Sequence, residues 1–95
     1  MKTKFKARRT SRFKREYRNL LKRGYKAELF DEVFKLLVQG ELLPAKYNDH
    51  ALKGNCKGFR ECHIAPDWLL VYRYEHDVLI LVLQRTGTHS GAPMN

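Results

Sequence analysis

At Gly58 the periodicity of the chain changes, and that break constrains the fold more than any other feature. Before it, apolar residues recur at helical spacing. Phe13, Tyr17, Leu20 and Leu21 fall on one face of a helix predicted over about 11–23. Phe30, Val33, Phe34 and Leu37 do the same for a second helix over about 26–39. Thr10 or Ser11 caps the first helix, and Gly24 is placed to end it as a left-handed residue. Glu28, Asp31 and Glu32 lie early in the second helix, at the positive end of its dipole, and Gly40 stops it. The short connection at 24–25 implies an antiparallel helical hairpin. A short strand over Phe5–Arg9 precedes the hairpin, and Leu43-Pro44 leads from it into an extended segment.

After the break the pattern is that of strands. Gly58–Ile64, Asp67–Tyr74 and Val78–Arg85 are rich in β-branched and aromatic residues, with brief turns at Ala65-Pro66 and Glu75-His76-Asp77. Turns that short make an antiparallel meander. The last two strands are apolar on both faces in places, which puts them at the centre of a sheet with helices over one side. The predicted fold is α+β: an N-terminal strand and an antiparallel helical hairpin packed on a small, curved antiparallel sheet. Residues 1–95 make one domain, with a core that buries roughly 60–65% of the unfolded surface.

Charge narrows the partners. Lys and Arg number 19 against 10 acids, a net charge of +9, and residues 2–23 hold 11 basic side chains with one acid, Glu16. An imbalance of that size points to nucleic acid, a ribosome, an acidic membrane or an acidic protein. Val78 to Leu83, the longest apolar run, is far too short to span a bilayer, and no apolar stretch follows the N-terminal charges to make a secretory signal. Cys56 and Cys62 are too few for a disulfide framework and lack a second pair for a zinc site. A reduced, cytoplasmic protein without a metal or cofactor is the expectation.

Polar chemistry gathers in the β-rich half. Asp49-His50 lies in the loop entering the sheet, Cys62-His63 ends one strand with Asp67-Trp68 close behind, and Arg85 to His89 follows the third strand. Phe59, Glu61 and His63 share a face by alternation. A three-residue loop after His63 sets it opposite Asp67 and a two-residue loop opposite Trp68; the spacing admits either. Gly87 lets His89 fold back over the sheet's end, so three segments are expected to converge on one concave surface. Imidazoles with a carboxylate and an arginine suit phosphodiester cleavage, because histidine has both protonation states at hand near neutrality. Each also has a plainer reading: Trp68 as packing at the sheet edge, Asp67 as a turn residue, His50 and His76 as surface or turn histidines. Cys56 reads as an incidental exposed thiol and Cys62 as a small core residue.

The ordered set Tyr47-Asn48-Asp49-His50-Ala51-Leu52-Lys53-Gly54, Gly58-Phe59-Arg60-Glu61-Cys62-His63-Ile64, Asp67-Trp68-Leu69-Leu70-Val71-Tyr72 and Arg85-Thr86-Gly87-Thr88-His89-Ser90 resembles the YafQ branch of the RelE/ParE toxins, over about residues 44–90. The N-terminal half is similar only in pattern. The resemblance implies a ribosome-dependent mRNA endonuclease that cuts message in the A site without a metal and is held inactive by a cognate acidic antitoxin. It implies catalytic roles for His50, His63, Asp67 and His89, phosphate contact by Arg85 and Lys53, and a site aromatic in Trp68. By the same resemblance His89 is the general acid, and Asp67 with His63 or His50 supplies the base. One departure is plain: the family usually ends with an aromatic a few residues after the last histidine, and this chain ends Gly91-Ala92-Pro93-Met94-Asn95. Two other classes remain beside this one. One is a non-catalytic ribosome or RNA binder on the same fold. The other is the gyrase-directed, protein-binding branch of the superfamily, which lacks the clustered histidines.

Overall fold

The computed structural model describes residues 4–88. Two helices follow the first strand, β1 (Lys6–Arg9): α1 (Ser11–Lys22) and α2 (Ala27–Val38). Thr10 caps α1, its hydroxyl oxygen accepting the Phe13 N–H at 3.0 Å. Both helices end in the same way. Gly24 (φ +98°) and Gly40 (φ +72°) take the left-handed conformation. Each then gives a paired closure: Tyr25 N–H to Leu20 C=O at 3.1 Å with Gly24 N–H to Leu21 C=O at 3.1 Å, and Glu41 N–H to Leu36 C=O at 3.0 Å with Gly40 N–H to Leu37 C=O at 3.0 Å. A side chain at either glycine would strain that turn.

Four further strands complete the sheet: β2 (His50–Ala51), β3 (Arg60–Ala65), β4 (Trp68–Glu75) and β5 (Ile80–Thr88). Their order is β1-β5-β4-β3-β2, with β4 and β5 central or next to it, as their apolar runs predict. The sheet is mixed rather than wholly antiparallel, because β1 pairs parallel with β5 from Lys6↔Ile80 to Arg9↔Leu83. The crossover between them carries the two helices to one face.

Two bulges set which side chains face where. Val71 pairs with Arg85 but Tyr72 with Leu83, so Gln84 is an extra residue on β5. Its carbonyl accepts a hydrogen bond from the Thr10 hydroxyl at 2.6 Å. On β3, His63 pairs with Leu69 and Ala65 with Trp68, leaving Ile64 extra. His63 therefore faces neither Asp67 nor Trp68, in contrast to both registers open from the spacing. The turn itself is Pro66-Asp67.

The main core lies between helices and sheet: Phe13, Leu20, Phe30, Val33 and Leu37 pack on Cys62, Trp68, Leu70, Tyr72, Leu81 and Leu83. The helical aromatics belong to it, with ring centroids 5.5 Å apart for Phe13–Tyr17, 4.9 Å for Tyr17–Phe30 and 5.5 Å for Phe30–Phe34. A smaller cluster, Leu52, Leu69 and Val71 with Cys56 and Phe59, covers the other face. His76 packs against Phe5 and Tyr74, a structural place. Among the described residues no helix is long and apolar enough to cross a membrane.

Candidate functional site

The entry to β2 is built before His50 is placed. A 3₁₀ turn at Ala45–Tyr47 ends at Asn48, which is left-handed (φ +48°) and reverses the chain. Asp49 then anchors the strand. Its Oδ2 accepts from Arg60 Nε at 3.1 Å and Nη2 at 2.9 Å, and its Oδ1 accepts from the Tyr72 hydroxyl. Burial and that bond to Asp49 hold the Tyr72 phenol well above its ordinary pKa. Asp49 is thus spent on structure.

His50 follows, paired across the ladder with Glu61. Its Nδ1 lies 2.8 Å from the Asn48 carbonyl oxygen, which only accepts, so Nδ1 carries the hydrogen. Its Nε2 lies 3.2 Å from Glu61 Oε1. Glu61 is 8% exposed, and among the described residues its buried Oε2 accepts no hydrogen bond. A buried carboxylate oxygen with spare capacity beside an imidazole is a place to receive a proton. Lys53 lines a cavity of about 450 Å³ together with His50.

His63 is on the same face as Glu61, two residues along β3, with Nδ1 3.3 Å from the Pro66 carbonyl oxygen. It lines a cavity of about 440 Å³ with Glu32, Lys46 and Pro66. Asp67 accepts a hydrogen bond from the Tyr25 hydroxyl at 2.7 Å, which ties the helical hairpin's turn to the β3–β4 turn. That bond to Asp67 raises the Tyr25 phenol above its ordinary pKa.

Trp68, a site aromatic by the resemblance and packing at the sheet edge by the plainer reading, packs inside the core. It is 0% exposed. Alternating along β4 with Leu70 and Tyr72, it faces the helix-side core, where its indole N–H donates to Thr86 Oγ1 at 2.8 Å and its ring meets Tyr17 and Tyr25. A ring with no open face has none to offer a base.

Arg85 closes the row His50–Glu61–Val71–Arg85 of cross-strand pairs, with two strand spacings, roughly 10 Å, between the Cα atoms of Glu61 and Arg85. Its guanidinium turns to the outer edge of β5, where Nη2 lies 3.3 Å from Glu16 Oε2. There it lines a cleft of about 240 Å³ between α1 and the end of β5. His50 and Arg85 therefore stand at the two ends of one cross-strand row, with His63 two residues from Glu61 along β3. His89 lies outside the described residues, as does the C-terminal segment that departs from the family pattern. Among the described residues no group of three His, Cys, Asp or Glu side chains is arranged to hold a metal ion. Sequence reasoning put Glu61 on the face of His63 but gave it no role. Its signal is an acid inside a strand whose neighbours are buried.

Residues 5–92 match the family model of a bacterial toxin of type II toxin-antitoxin systems, YafQ. The chain belongs to the YafQ toxin family. The mRNA interferase toxin YafQ of Escherichia coli K12 is 46% identical over 56 residues, 58% of this chain and 59% of that protein, so the match spans less than two thirds of that relative's length. A putative toxin YafQ of Haemophilus influenzae is 56% identical over 32 residues, 34% of this chain and 31% of that one. Among solved structures, a copper-bound mutant toxin from Helicobacter pylori superposes with a TM-score of 0.85 at 40% identity, covering 90% of this chain and 96% of that one. The E. coli DinJ-YafQ toxin–antitoxin complex gives 0.85 at 30% identity over 95% and 98%. The YafQ fold, part of the RelE-like group, is thus this chain's fold: two helices on a five-stranded mixed sheet. In this YafQ-family chain the described site consists of an imidazole–carboxylate pair, a second imidazole at a turn and an arginine at a strand edge.

Proposed function

We propose that this protein is a ribosome-dependent endoribonuclease toxin that cuts mRNA in the A site and is neutralised by an acidic antitoxin. The observation that carries the reading is the His50–Glu61 pair with its spare buried oxygen, on a chain of the YafQ toxin family. The E. coli relative named an mRNA interferase, and the E. coli neighbour complexed with DinJ, support substrate and partner. The place of action is the cytoplasm, where ribosomes translate.

The chemistry follows from the groups. A base supplied by Asp67 with His63 or His50 takes the proton from a ribose 2′-OH, and the 2′-oxygen forms a bond to the adjacent phosphorus. The bond from phosphorus to the 5′-oxygen breaks as His89 gives that oxygen a proton. The products are a 2′,3′-cyclic phosphate and a 5′-OH end. Each positioned proton transfer is worth roughly 10²–10⁴ in rate. Arg85, always charged and able to bond phosphate oxygens as a fork, stabilises the crowded phosphorane. Lys53 meets a neighbouring phosphate. These transfers need no metal. The basic residues of α1 face ribosomal RNA, with an affinity that falls as salt rises.

The deciding experiment incubates the purified protein with message, with and without ribosomes. Cut ends carrying 2′,3′-cyclic phosphate are expected only when ribosomes are present, and intact message would overturn the reading. His89→Ala, Arg85→Ala and Glu61→Gln are each expected to slow cleavage by roughly 10²-fold or more. Melting temperature and ribosome affinity should stay close to wild type; unfolding would mean that structural residues had been mistaken for catalytic ones.

A further inference from the structure

Among the 11 basic side chains of residues 2–23 stands a single acid, Glu16. On a solvated basic helix such a residue would be expected to pair one turn away, and it does bond Arg12 Nε at 3.2 Å. Its carboxylate nevertheless faces the sheet: the side chain is 22% exposed, Oε1 accepts the Thr86 backbone N–H at 3.0 Å, and Oε2 accepts Arg85 Nη2 at 3.3 Å. The place explains the contact. β1 pairs with β5 only as far as Arg9↔Leu83, and from there the outer edge of β5 is met by α1. Thr10 satisfies the Gln84 carbonyl and Glu16 the Thr86 N–H. Arg85 lies between those two contacts, directly after the bulge, where the ladder alone does not aim a side chain.

We propose that Glu16 is the positioning residue for Arg85, fixing the guanidinium in the cleft between α1 and the end of β5, where an RNA phosphate is received. The inference rests on the endoribonuclease reading. Arginine carries five N–H donors; Glu16 engages Nη2 and Nε is buried, so Nη1 is the nitrogen left for a phosphate oxygen. Holding a long side chain in place beforehand removes part of the ordering cost of binding the transition state. The same cleft is lined by Arg23 and Thr88, so the fixed guanidinium stands beside the strand end that leads into His89.

The test is a double-mutant cycle with a spectroscopic arm. Glu16→Ala is expected to lower kcat for ribosome-dependent cleavage up to roughly 10²-fold with KM unchanged. Glu16→Gln, which keeps an acceptor for Thr86, should fold as wild type and fall between the two. In an Arg85→Ala background, Glu16→Ala is expected to change nothing further; an equal loss in both backgrounds would assign Glu16 a merely structural role and overturn the proposal. Independently of activity, the Arg85 side-chain NMR resonances should pass from ordered to averaged on Glu16→Ala and Glu16→Gln. Unchanged resonances would overturn the proposal even if the protein cut no RNA. Wild-type protein that leaves message whole while those resonances respond would remove the nuclease reading and leave the Glu16–Arg85 linkage standing.

Discussion

Asp49 receives bonds from two atoms of Arg60 and from the Tyr72 hydroxyl, so one carboxylate joins the start of β2 to β3 and β4. Asp49→Ala is expected to cost about 1–3 kcal/mol, because it strands a partly buried guanidinium and a phenol at once. Urea unfolding checks this, and Asn at the position should cost less because it keeps an acceptor oxygen. The sequence put Asp49 beside His50 but did not reveal its structural work, since its partners stand 11 and 23 residues away. Trp68 shows the same limit from another side. Alternation puts Trp68 on one face with Leu70 and Tyr72, but that the helices cover this face is settled only by packing between distant elements. Glu61 was legible in its face, since it shares one with His63, but its pairing with His50 needed the β2–β3 register.

The helices were read to within a residue or so at each end, because their signals are local: Thr10 before the first, glycine after both, and apolar spacing between. The strands after Gly58 were found as a meander for the same reason. Parallel pairing of β1 with β5 was not legible, because nothing in Lys6–Arg9 or Ile80–Leu83 by itself names a partner so far along the chain. One element departs from good design. Lys26, the residue before α2, is already extended (φ −92°, ψ 124°) but caps no N–H and puts a positive charge at the positive end of the helix. Lys26→Asp is expected to stabilise the fold by about 1 kcal/mol. The denaturation midpoint should rise with the m-value unchanged; a fall in midpoint would refute the capping argument.

For the molecule as a whole, the core holds several weak acids. Burial is the leading cause in each case: it raises the Cys62 thiol above 9.0, raises the Tyr72 phenol above 10.0 and pushes the Tyr74 phenol up to about 12. The folded state keeps these protons longer than the unfolded chain, so stability is complete below pH 9 and is lost as pH rises through the folded values. Melting temperature is expected to hold from pH 7 to 9 and fall steadily from pH 10 to 12, and a flat profile across that range would contradict the burial argument. The net charge of +9 was legible from composition, and so was its concentration in the first helix and the strand before it. The parallel contact of β1 with β5 also bears on how the protein comes into being. The segment Lys6–Arg9 emerges early in synthesis and has to wait for Ile80–Leu83 before it finds its neighbour. The outer strand of the sheet therefore closes only once Ile80–Leu83 has followed it out of the ribosome.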